Sequence, residues 1–209
     1  MSEIPAATVR SRVRVPLRFG DSLAVTAEAV TFDGLADGAE HLAFVFDGPA
    51  ATGAPLVRLH SECLTGDVFG SARCDCGPQL HEAAARLSAA GGILLYLRQE
   101  GRGIGLYNKL DAYALQDAGL DTYAANTALG LPEDARDYTV AAQMLTAIGV
   151  TAIDLLSNNP DKARQLASLG ISVRRTRPTG VYATPSNLRY LHAKVARTGH
   201  TIALPRLAS

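Results

Sequence analysis

The chain has 209 residues, 47% of them hydrophobic, which suits one large domain or two small ones with a real apolar core. Lys plus Arg and Asp plus Glu each number 20, so no net field attracts a long polyanion or a membrane surface, although a few local arginines can still hold a nucleotide. The opening MSEIPAATVRSRVRVPL lacks the apolar run of a secretory signal, and nothing approaches the roughly 18 apolar residues of a membrane span, so a cytoplasmic protein is expected.

The first half reads as strands. Residues 12–19 (RVRVPLRF), 22–30 (SLAVTAEAV), 41–48 (HLAFVFDG) and 54–63 (APLVRLHSEC) are short, partly alternating and rich in Val, Leu and Phe. Gly20-Asp21, Asp33-Gly34 and Gly53 supply turns. The second half alternates helix and strand. A helix runs from Gln79 to Ala90 and stops at Gly91-Gly92; ILLYL (93–97) is a buried strand. Ile104 to Ala118 is a helix, with Ile104, Tyr107 and Ala114 expected on one face. Tyr138 to Ile148 is another, followed by strand 152–157 (AIDLLS). Asn159-Pro160 gives an N-cap and first-turn proline to a helix ending at Leu169, and 171–175 (ISVRR) is the last strand. A C-terminal helix is expected from Pro185 to Thr198. The fold class is α/β with α+β character: a mixed β-sheet, strands mainly in the N-terminal half, covered by helices. No linker is evident, so 1–209 is read as a single domain with its core over about 12–200.

All three cysteines lie at residues 63, 74 and 76, in RLHSECLTGDVFGSARCDCGPQL (58–80). An odd, clustered set argues against a disulfide framework and for metal ligands or redox thiols. Zinc favours thiolate; structural sites close four positions with protein, whereas catalytic sites leave one for water. With no fourth cysteine, three ligands plus a water is the natural reading of Cys63, Cys74 and Cys76. Two others stay open: His60 or Asp67 closing a structural site, or free core thiols.

Two polar loops carry further chemistry. RQEGRGIGL (98–106) leads from a strand into a helix; Gly101, Gly103 and Gly105 permit close backbone approach, and Arg98 and Arg102 suit phosphate. A solvated turn explains the same residues. In GLPEDARDY (130–138) Asp137 reads as a helix cap, but Arg136 opposes the helix dipole, which points to a functional role. In SNNPDK (157–162), Ser157 and Lys162 stand beyond a strand's C-terminal end, where open α/β sheets bind ligands. His41, His81, His192 and His200 carry no motif.

Together RLHSECLTGDVFGSARCDCGPQL, YLRQEGRGIGLYNKLDAYALQDAGLDT, ANTALGLPEDARDY and LLSNNPDK resemble GTP cyclohydrolase II, an enzyme of riboflavin synthesis. The resemblance spans roughly residues 12–200. It implies a zinc enzyme that opens the imidazole ring of GTP and releases formate and pyrophosphate, with 2,5-diamino-6-ribosylamino-4(3H)-pyrimidinone 5′-phosphate as product. It implies zinc on Cys63, Cys74 and Cys76, magnesium with the triphosphate, and a homodimer; no nucleic acid or membrane partner is expected. Residues Arg58, Leu59, His60, Ser61 and Glu62 would line the nucleotide site. Gln79, Glu100, Gly101, Arg102, Thr122, Ser157 and Lys162 match further GTP contacts. Asp134 and Arg136 match a proton acceptor and nucleophile, and Tyr113 a tyrosine of the chemistry. A protonated guanidinium is a poor nucleophile, so Arg136 as a clamp on transition-state charge is the competing role. Ser157 replaces the usual threonine, and Ala193, Thr198 and the segment TRPTGVYATPSN depart from the pattern. These departures leave open a diverged paralogue in specialised metabolism or pyrimidine breakdown, or one that releases a formylated intermediate. A non-catalytic zinc module is the reading from another class. The dihydroxybutanone phosphate synthase domain often fused upstream is not seen, so a monofunctional form is expected.

Overall fold

The computed structural model describes residues 6–20, 23–48, 53–132, 134–188, 190–192 and 195, except for the side chains of residues 122 and 123. Seven strands form one mixed sheet: β1 (Thr8–Phe19), β2 (Leu23–Asp33), β3 (Leu42–Phe46), β4 (Leu56–Ser61), β5 (Ile93–Leu97), β6 (Ala152–Leu156) and β7 (Ser172–Arg177), in the order β1-β2-β3-β5-β4-β6-β7. Pairing is antiparallel from β1 through β3 to β5, and parallel from β4 through β6 to β7. This is the mixed sheet expected, with five of its seven strands inside residues 8–97.

The helices are α1 (Leu64–Asp67), α2 (Cys76–Ala90), α3 (Leu106–Asp117), α4 (Thr122–Ala128), α5 (Thr139–Ala147) and α6 (Pro160–Ser168), and a 3-10 turn covers Glu100–Gly103. Most boundaries fall within a few residues of the sequence reading, for local reasons. The Asn159 side chain accepts from the Asp161 N–H as the N-cap of α6, with Pro160 in its first turn. Tyr138, not the expected Asp137, is the N-cap of α5; Asp137 stands one residue earlier and accepts from the Thr139 N–H at 2.7 Å. Of the expected C-terminal helix, residues 188, 190–192 and 195 are helical; the remainder of its predicted span up to 198 is outside the described residues where it is not the turn at 185–187. Asp21, Ala193, Thr198 and His200 are likewise outside them.

Two further expectations need correcting. The short helices α1 and α4 were not anticipated; seven residues or fewer carry too little periodicity to read. In α3 the predicted apolar face is not the buried one. Tyr107 is 81% exposed and Ala114 is exposed, while Lys109 and Ala112 are buried. Apolar phase alone could not find a face whose chief buried residue is a lysine.

The chain divides into two compact units of three segments each. The first comprises 1–60, 81–98 and 137–179; the second comprises 61–80, 99–136 and 180–209. The first holds the sheet and a continuous apolar core. Val57 and Leu59 of β4, Leu95 and Leu97 of β5, and Ile153 and Leu155 of β6 pack with Val140, Ala141, Met144 and Leu145 of α5 and Leu166 of α6. The second holds α1, the 3-10 turn, α3 and α4. No helix among the described residues is long and apolar enough to cross a membrane.

Candidate metal centre and nucleotide site

In the first unit, the parallel neighbours β4 and β6 carry one group of expected residues at their C-terminal ends, the usual ligand-binding end of parallel strands. Arg58 is buried and its Nη1 donates to the Leu156 carbonyl at 3.1 Å. His60 is buried and stacks on Tyr96 with ring centroids 5.6 Å apart. Between them the Leu59 side chain lies in the core, so only its backbone is available to a ligand, and its carbonyl accepts from Lys162 Nζ at 2.7 Å. Lys162 is buried over the Tyr138 ring, 5.6 Å from its centroid. The Ser157 hydroxyl is engaged in its own turn, accepting from the Asn159 N–H at 3.0 Å. These residues put two buried cations, Arg58 and Lys162, near adjoining strand ends. Burying such charges is costly unless they are hydrogen-bonded, as both are here.

In the second unit the three thiols converge. Their sulfurs all lie within 4.8 Å of one another, and Cys63 and Cys74 are 3.7 Å apart. Tetrahedral zinc with Zn–S bonds of about 2.3 Å sets its sulfurs about 3.8 Å apart, so the spacing fits the metal. Cys63 precedes α1 and Cys76 opens α2, which brings ligands distant in sequence together. A glycine makes room for them: a Cβ on Gly66 would stand 2.8 Å from Cys74 Sγ and 3.1 Å from Cys63 Sγ. Among the described residues neither His60 nor Asp67 joins the cluster. The Asp67 carboxylate instead accepts from the Cys63 N–H at 3.0 Å.

Cys63 and Cys74 shift each other's ionisation in opposite directions. Cys63 is pulled well below the usual thiol range, first by hydrogen bonds from Cys74 and Cys76 and then by the Lys109 charge. Cys74 is pushed up to about 11, chiefly because Cys63 beside it is the thiol that ionises first. Lys109 was not anticipated as a site residue. Burial opposes its charge, but the Cys63 thiolate and a hydrogen bond to Glu100 outweigh burial and raise its pKa. The Glu100 carboxylate also accepts from Leu64 N–H at 2.7 Å and from Gly101 N–H at 2.8 Å. One signal was available in the sequence: Lys109 stands four residues before Tyr113, on the same helical face.

Around this cluster, Tyr113 has the Arg73 guanidinium over its ring at 4.8 Å, and burial, the largest influence, pushes its hydroxyl up to about 12. Gly101 and Arg102 both adopt left-handed backbone, at φ 61° and 62°. Such backbone is costly for arginine and is commonly retained at functional sites. The Arg102 carbonyl accepts from the Ala135 N–H at 3.0 Å, tying the glycine-rich loop to the acidic one. There Asp134 grips Arg136 with both oxygens, Nε donating to Oδ1 at 2.9 Å and Nη2 to Oδ2. Burial would raise the Asp134 pKa, but this fork outweighs it and holds the carboxyl below its usual range. Gln79 donates to Asp75 at 2.8 Å and to the Gly180 carbonyl at 3.3 Å. The Ser61 hydroxyl oxygen is buried without a hydrogen-bond partner among the described residues, and Glu62 is half-buried. Thr122 opens α4, but its side chain lies outside the described residues.

Residues 9–178 match the family model for GTP cyclohydrolase II. The chain belongs to the GTP cyclohydrolase II family. Among its relatives, GTP cyclohydrolase-2 of Vibrio cholerae serotype O1 is 52% identical over 194 residues, which is 92% of this chain and 98% of the relative. GTP cyclohydrolase-2 of Psychromonas ingrahamii is 47% identical, over 93% of this chain and 98% of the relative. The riboflavin biosynthesis protein RibBA of Bacillus cereus is 48% identical, with 94% of this chain matching 49% of that one. A solved structure of RibBX, a two-domain 3,4-dihydroxy-2-butanone 4-phosphate synthase from A. baumannii, aligns over 86% of this chain and 41% of its own. At 20% identity and a TM-score of 0.42 it adds nothing to the family assignment. The GTP cyclohydrolase II family is one of enzymes, and this chain is an enzyme of that family.

Proposed function

We propose that this protein hydrolyses GTP to 2,5-diamino-6-ribosylamino-4(3H)-pyrimidinone 5′-phosphate, formate and pyrophosphate, the first committed step of riboflavin synthesis. The observation that carries the reading is the convergence of Cys63, Cys74 and Cys76, with sulfur spacing suited to zinc, in a chain of this family. Cys63, Cys74 and Cys76 would hold the zinc, which would supply Lewis acidity and lower the pKa of a bound water. Tyr113, whose pKa is near 12, keeps its phenolic proton and serves as a donor toward the opening ring.

At the phosphate end, Arg102, Lys162 and Arg136 supply cationic donors with magnesium. The Asp134 fork supports one of the two roles open to Arg136. A carboxylate held below its usual range is a poor proton acceptor, and its fork stabilises the guanidinium cation. Arg136 therefore acts as a charge clamp on the departing pyrophosphate rather than as a nucleophile. Arg58, Leu59, His60, Ser61 and Glu62, with Gln79, Glu100, Gly101, Thr122 and Ser157, complete the proposed nucleotide contacts; Leu59 takes part through its backbone. The chain crosses between the two units five times, so we treat 1–209 as a single cooperative domain. A cytoplasmic homodimer is the proposed state.

The test is incubation with GTP, Mg²⁺ and Zn²⁺, assaying formate and pyrophosphate. Absence of both products from folded, zinc-loaded protein would overturn the reading. A product that keeps the formyl carbon by mass spectrometry places the chain with a diverged paralogue instead. Cys74→Ser should abolish ring opening.

A further inference from the structure

Lys109 is a buried charge that the proposed chemistry does not use. Lys109 is 8% exposed, and an apolar residue of similar length would pack at that position without the cost of burying an ammonium. An ammonium has three N–H donors. Each has a partner here: Cys63 Sγ at 3.2 Å, Thr65 Oγ1 at 3.0 Å and Glu100 Oε1 at 2.9 Å. The carboxylate that receives one of them is itself fixed by two backbone N–H groups, from Leu64 and Gly101. The ammonium is thus aimed from two sides, and its third donor meets the sulfur of an expected metal ligand.

We propose that Lys109 is a positioning residue of the metal centre, donating to the Cys63 sulfur so that one of the three thiolates gives up less electron density to the metal. This rests on the zinc reading above. The physical reason lies in charge. Three thiolates around a divalent ion leave a net charge of −1, and strong sulfur donation weakens Lewis acidity. A cation hydrogen-bonded to one sulfur offsets that charge and draws density off the thiolate. Partners beyond the ligands orient them and tune the metal in this way. The Lys109–Glu100 pair also links the metal ligand to the glycine-rich loop, because Glu100 opens the 3-10 turn that contains Arg102.

The test uses cobalt as a visible substitute for zinc in the whole protein. In wild type, Co²⁺ should give a sulfur-to-cobalt charge-transfer band; its absence would mean the thiols hold no metal and would sink the zinc reading itself. In Lys109→Met the thiolate becomes more electron-rich, so the band should move to lower energy. Lys109→Arg, which retains charge and donors, should return the band toward wild type. If Lys109→Met does not fold, Lys109→Gln keeps an N–H donor without the charge and should show a smaller shift in the same direction. A lysine that only filled space would alter stability and leave the band in place. An unshifted band in any folded, cobalt-loaded, uncharged variant overturns the proposal.

Discussion

Gly66→Ala isolates the geometry of the cysteine cluster from its chemistry. Gly66 lies within α1 and does not adopt left-handed backbone, so alanine meets no backbone objection there. Space is the only obstacle. The new methyl would sit 2.8 Å from Cys74 Sγ, whereas ordinary contact begins at 3.4 Å, so that sulfur or the helix must yield by about 0.6 Å. Cys63 Sγ and Cys76 Cβ, each 3.1 Å away, block the alternative directions. Metal sites hold their ligand distances to about 0.2 Å, so the displacement is several times the tolerance. Zinc affinity should fall at least about tenfold, on the scale of other disturbances to ligand placement. Overpacking should cost about 1–3 kcal/mol of stability. Zinc competition against a chromophoric chelator measures the first, and thermal unfolding the second. Gly70→Ala is the control: its φ of +64° strains alanine by about 1 kcal/mol, yet nothing lies within 4 Å, so zinc binding should be unchanged. Wild-type zinc affinity in a folded Gly66→Ala protein would refute the reasoning.

Other expectations follow from the same structure. Arg102→Gly should keep stability within about 1 kcal/mol of wild type, because relief at φ 62° offsets the lost side-chain contacts, while KM for GTP rises; an unchanged KM would remove Arg102 from the nucleotide site. Leu155→Ala, from a fully buried position in β6, should cost about 2–5 kcal/mol in denaturant titration and leave zinc stoichiometry intact. Tyr113 should stay protonated through pH 10. The wild-type minus Tyr113→Phe absorbance difference should titrate near 12, and a step near 10 would contradict the burial. The sign for stability follows: because the folded pKa is raised, this contribution is complete below about pH 10 and declines as pH rises toward 12.

The sheet was legible because its strands are short apolar runs between turn residues, and β5 and β6 begin where their hydrophobic runs begin. The metal cluster was legible from ligand type and count alone. Lys109 was hidden by the same logic that succeeds elsewhere. Periodicity assumes that apolar residues mark the buried face, and in α3 the buried face is chosen by an ammonium with three acceptors waiting for it. Leu59 shows the opposite limit. It falls inside the segment expected to bind the nucleotide, yet strand alternation sends its side chain to the core, and its carbonyl accepts from Lys162. Arg136 was singled out because it opposed a helix dipole; the structure supplies the missing counter-charge in Asp134, two residues away.

The discontinuous makeup of the two units bears on how such an enzyme can change. Residues 61–80 begin at the last residue of β4, 99–136 start two residues after β5, and 180–209 come after β7. Every thiol, Tyr113 and the Asp134–Arg136 fork belong to these segments, whereas the apolar core of β4, β5, β6, α5 and α6 belongs to the rest. No described residue of that core comes from these segments. The thiols and the fork are thus free to drift under selection while that core is inherited, and a laboratory recombining relatives has natural splice points at residues 98/99, 136/137 and 179/180, which lie outside the helices and strands.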